Sequence, residues 1–115
     1  MAQHLEPVRI PVPGGKVIEE LAGRVATGHN NYSVARMSAP AGWDEPTQRP
    51  DFDEVTYVLA GELLVHTEAG TETVGAGRGV LTRAGERVRY EAGPEGADYV
   101  AVCVPAFSEE GAHRA

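Results

Sequence analysis

The chain holds one cysteine, one lysine and one tryptophan, and these scarcities set the first limits. A lone Cys103 excludes an intrachain disulfide and gives no sign of an oxidising compartment. Lys16 stands with nine arginines against 17 acidic residues, for a formal net charge of −7. Binding to a phosphate backbone rests on cations that neutralise phosphates, so no nucleic-acid partner is expected. No stretch approaches the roughly 18 consecutive apolar residues of a membrane helix. The start, Met1-Ala2-Gln3-His4, lacks the basic-then-apolar pattern of a signal peptide. These features together read as a cytoplasmic chain without a membrane partner. Helical periodicity is also missing: nothing through residue 104 sustains a 3.6-residue apolar repeat.

Turn formers, by contrast, are plentiful, with 14 glycines and 8 prolines in 115 residues. They cut the chain into short apolar runs at residues 16–21, 32–37, 54–59, 62–67, 71–74, 80–82, 87–91 and 99–104. Strands of about five residues at such spacing indicate an all-β sandwich or barrel. One domain is expected over residues 1–115. Residues 1–15, broken by Pro7, Pro11 and Pro13, suit only an arm or an edge strand. Residues 105–115 suit a short terminal turn or a disordered tail. In the run 54–59, Glu54, Thr56 and Val58 share one face and Val55, Tyr57 and Leu59 the other. The second face is the greasier one and requires cover by another layer or another subunit, which predicts a homodimer.

The order Gly42, Glu54, six residues and Gly61, followed by Gly79 and then Arg83-Ala84-Gly85, resembles the two motifs of the cupin family. The resemblance covers residues 33–105 and implies a jelly-roll barrel, a double-stranded β-helix of short antiparallel strands. The run 53–63 and the missing histidines are similar to the small single-domain cupins of the ethanolamine-utilisation type. Cupins usually hold a divalent metal with three histidines and the motif glutamate. Here the first two histidine places fall at Gln48 and Pro50, or at Thr47 and Arg49 if the loop is one residue longer, and the third falls at Val88. Only Glu54 remains. One carboxylate and one amide do not make a transition-metal site. Asp51, Asp53 and Glu54 read as a solvated acidic strand entrance rather than a Mg²⁺ or Ca²⁺ site. Neither a bound metal nor another cofactor is expected.

With no metal to bind, Glu54 needs another reading. The resemblance points its side chain into the barrel, where desolvation raises a carboxyl pKa toward the range useful for acid–base catalysis. Arg36 and Arg83 are candidate partners that would hold it ionised. The alternative is that Glu54 only closes the strand entrance by pairing with an arginine or with backbone amides. Tyr90 shares the inward face with Val88 and is the second catalytic candidate. Gln48, which can donate and accept, and Trp43, on the loop before the rim, are ligand-binding candidates. Thr56, on the face of Glu54, and Arg36, Arg83 and Val88 complete that set. Cys103 reads as a small buried hydrophobe.

The expected function is binding of a small organic molecule in the barrel. Metal-independent isomerase, cyclase or lyase chemistry with Glu54 as acid or base accompanies it. A non-catalytic ligand sensor, or a metal-dependent enzyme with a rebuilt site, are the alternatives.

Overall fold

A computed structural model describes residues 1–114, and Ala115, the last residue of the expected tail, lies outside the described residues. The elements in order are β1 (Val8–Ile10), β2 (Val17–Ala22), β3 (Ser33–Ala39), β4 (Asp53–Thr67), β5 (Gly70–Gly75), β6 (Gly79–Thr82), β7 (Val88–Val104) and α1 (Glu109–Ala112). They form one antiparallel sheet in the order β1-β2-β3-β7-β4-β5, with β6 also paired to β4. The architecture is the expected all-β barrel.

Two long strands frame the barrel, where the sequence suggested four short ones. The chain runs through Gly61 and through residues 93–96 without leaving the sheet. Register shifts on β4 between Val58 and Ala60 and between Gly61 and Leu63 absorb the irregularity as bulges. Gly61 (φ 74°) and Gly96 (φ 79°) face each other there. A Cβ on Gly61 would lie 2.1 Å from the Gly96 carbonyl oxygen, so the crossing of the two strands requires glycine.

The bulges mark where the lining of the interior changes. On one side Leu63, Val65, Val74, Val88, Tyr90 and Ala92 pack as a continuous apolar core, all at most 5 % exposed. On the other side the inward residues of β4 are Glu54, Thr56 and Val58, the last joined to that core. The outward face carries Val55, Tyr57, Leu59, Leu81 and Val104, each roughly half exposed. Among the described residues no layer covers that greasy face.

The terminal segments are ordered against the barrel. β1 is an edge strand on β2, as the prolines that flank it, Pro7 and Pro11, allow. Ser108 caps α1 by accepting a hydrogen bond from the Gly111 N–H at 2.9 Å, and Ala112 is fully buried beside Phe52. His113 reaches the Asp51 carboxylate at 2.7 Å. Residues 105–114 therefore form a docked strap and not a loose tail.

Candidate functional site

Three segments meet at one mouth of the barrel: the arm at residues 11–14, the loop at residues 43–46 and the strap carrying Glu109 and Arg114. With Lys16 and Ile18 they line a cleft of about 470 Å³. Prolines hold the arm and the loop extended and contribute rigid apolar walls.

Lys16 lines this cleft and is partly buried. Its ammonium lies 4.1 Å from the centre of the Trp43 ring and 5.5 Å from that of Tyr99. Among the described residues no carboxylate lies within ion-pair distance of it. Burial lowers its pKa, and Glu45 and Glu54 oppose that from farther away. Arg114 is bound instead to Glu45 at 3.0 Å and to Glu109 at 3.0 Å. Burial disfavours the Arg114 charge, but Glu45 outweighs it, so the guanidinium is held firmly protonated.

Glu54 lies behind the cleft. The strand period points it inward, opposite Cys103 on β7 and Thr82 on β6. Burial raises its pKa to about 7, the Glu45 charge adds to the rise, and Lys16 and the Thr56 hydroxyl oppose it. Thr56 Oγ1 donates to a Glu54 carboxylate oxygen at 3.4 Å. Burial pushes the Tyr90 and Tyr99 phenols well above their ordinary value. Glu54 is thus the buried carboxyl poised to exchange a proton near neutrality, with Lys16 the cation that opposes the rise.

The candidates from sequence separate into two groups. Glu54, Thr56, Gln48, Val88 and Tyr90 all face inward and are at most 8 % exposed. Gln48 and Val88 exchange backbone hydrogen bonds at 2.9 Å, so their side chains share the inner face. The Gln48 Oε1 is buried without a hydrogen-bond partner. Tyr90 spends its hydroxyl on Thr82 Oγ1 at 2.9 Å. Trp43 does stand at the rim.

Arg36 and Arg83 are the corrections. Both are exposed, and Arg36 lies outside, 3.9 Å from Asp98. One register step on β3 put Arg36 on the outer face, and Arg83 sits in the turn beyond β6. Lys16, Glu45 and Arg114 are the charged groups that sequence reasoning missed. The one available signal was Lys16, the only lysine, just before a strand of apolar and acidic residues. Cys103 is buried and its thiol is pushed up by burial, as a small core residue would be. No group of three His, Cys, Asp or Glu side chains among the described residues is arranged as a metal cage.

Solved structures share this architecture. Oxalate decarboxylase of Bacillus subtilis superposes at a TM-score of 0.80 with 21 % identity, over 95 % of this chain and 30 % of that one. Streptomyces PAC13, in a structure with uridine, superposes at 0.79 with 14 % identity, over 100 % of this chain and 91 % of that one. The fold is that of the cupins. A Rhizobium leguminosarum protein of unknown function adds 27 % identity at a TM-score of 0.67, over 81 % of this chain and 84 % of that one. No family model matches the chain.

A curated relative redirects the functional reading. The chain is 50 % identical over 105 residues, 90 % of its length, to Endoribonuclease YbeY of Myxococcus xanthus. It spans 36 % of that protein. This match overturns the expected small-molecule isomerase, cyclase or lyase, together with its sensor and metal-enzyme alternatives. It also overturns the exclusion of nucleic acid, which rested on net charge alone. Net charge weighs phosphate contacts and is blind to contacts with bases and sugars. No helix among the described residues is long and apolar enough to cross a membrane.

Proposed function

We propose that this cupin-fold chain serves endoribonucleolytic RNA cleavage as an RNA-engaging domain. The observation that carries the reading is the 50 % identity over nearly the whole chain to a protein named as an endoribonuclease. The cleavage step itself is assigned to a larger assembly, because the chain spans 36 % of that relative. Its own contribution is the cleft under Trp43, which takes a nucleotide of single-stranded RNA. That volume lies within the roughly 300–1,000 Å³ of pockets that enclose small organic groups. A structural neighbour with uridine supports the idea that a barrel of this build can enclose a ribonucleoside. An RNA partner supports a cytoplasmic site of action. Within the fold, the run 53–63 supports kinship with the ethanolamine-utilisation type of cupin.

The physics of the cleft dictates how such binding should behave. With a net charge of −7, phosphate neutralisation contributes little, and base and sugar contacts must supply the affinity. The test is anisotropy of a fluorescent single-stranded oligoribonucleotide titrated with the purified chain. Saturable binding is expected, weakened no more than about threefold between about 50 and 200 mM salt, as for a single phosphate contact. Trp43→Ala should abolish it. Absence of binding at either salt concentration would overturn the reading. Fragmentation of the labelled RNA by the chain alone would move the cleavage step into this domain, with Glu54 the first residue to replace.

A further inference from the structure

The cleft carries a charge pattern that selects which part of an RNA can enter. Three of its lining carboxylates, Asp44, Glu45 and Glu109, stand against two cations, Lys16 and Arg114. Arg114 is spent on Glu45 and Glu109, each at 3.0 Å. Lys16 has no carboxylate partner among the described residues and rests on the Trp43 ring at 4.1 Å. One cation is therefore available to a ligand; Asp44 is paired with Arg89, and the two carboxylates sharing Arg114 leave one net negative charge that repels phosphate.

Ionised carboxylates only accept hydrogen bonds, and an ammonium only donates them. The complementary ligand offers hydroxyl donors to the acidic side and an acceptor to Lys16, with an apolar body against the proline and tryptophan walls. A nucleoside meets all three demands: its ribose hydroxyls donate, its base edge accepts, and its base is apolar in the face. Every base carries at least one edge acceptor, so Lys16 imposes no choice among them. An internal nucleotide brings a phosphate on each side of its ribose. The last nucleoside of a chain brings one, on the 5′ side, and that one can remain outside.

We propose that the cleft holds the 3′-terminal nucleoside of an RNA bearing a free 2′,3′-diol, with the diol on the Glu45 and Glu109 side and the base toward Lys16 and Trp43. The inference rests on the RNA reading above and specifies which end of the RNA that site takes. It also places the domain after a cleavage that leaves a 3′-hydroxyl, or at the intact end of a substrate.

The experiment compares three 5′-labelled oligoribonucleotides of one sequence, ending in a 3′-hydroxyl, a 3′-phosphate or a 2′,3′-dideoxynucleoside. The hydroxyl end is expected to bind at least about tenfold tighter than the phosphate end, the equivalent of about 1.4 kcal/mol. The dideoxy end should also bind more weakly, having lost its donors. Glu109→Gln should narrow the gap between hydroxyl and phosphate ends, since it removes a repelling charge and frees Arg114. Equal binding of all three RNAs overturns the end selectivity and leaves RNA engagement standing. Binding of none overturns both.

Discussion

The two halves of the barrel interior are built on the same two strands and filled in opposite ways. Beyond the Gly61–Gly96 crossing, β4 and β7 present Leu63 and Val65 against Ala92 and Tyr90, in a core closed by Val74 and Val88. Before it, the same strands present Glu54, Thr56 and Val58 against Cys103, Ala101 and Tyr99, with Lys16, Glu45 and Arg114 arriving from elsewhere in the chain. The apolar half is close-packed and supplies stability. The polar half keeps buried charges that cost folding free energy and leaves room for a ligand. A domain of this size can carry such a site because the packed apolar cluster beside it offsets the cost.

Substitutions on either side of the bulge should respond differently. Leu63→Ala, in the apolar half, is expected to cost about 2–5 kcal/mol, read as a lowered urea midpoint, because it opens a cavity in a packed core. Glu54→Gln, in the polar half, should do the reverse at the right pH. The native Glu54 pKa is raised from 4.5 to about 7, so its favourable contribution is fully present below about pH 4.5 and is lost as pH rises through about 7. The Gln variant should then exceed the wild type by up to about 3 kcal/mol near pH 8, with the gap closing below about pH 4.5. Thermal melts of both proteins across that range check the sign. Gln48→Leu removes a buried acceptor that has no partner, and should be neutral or stabilising by about 1 kcal/mol in the same melts. Tyr57→Ser, on the outer face of β4, should shift a monomer's stability by no more than about 0.5 kcal/mol.

Much of the barrel interior was legible from residue order. The period of two in residues 54–59 set Glu54, Thr56 and Val58 inward, and the motif spacing brought Gln48, Val88 and Tyr90 to the same interior. The cations were not legible. Arg36 fell to the outside through one register step on β3. Lys16 and Arg114 reach the cleft from opposite ends of the sequence, through an arm and a strap whose docking is set by tertiary contacts. The long strands were read as four because glycine usually ends a strand, whereas Gly61 and Gly96 here let two strands cross closely. Charge misled on partners for a related reason: a total of −7 says nothing about where the two cations of a cleft stand.

Trp43 offers the most direct test of the RNA-engaging site, because it is the only tryptophan and forms part of the cleft wall. Its fluorescence should change saturably as single-stranded RNA is added to the intact chain, with a midpoint little affected by salt, and a Lys16→Met variant should lose most of the change. A signal that stays flat under RNA in both proteins would contradict the site.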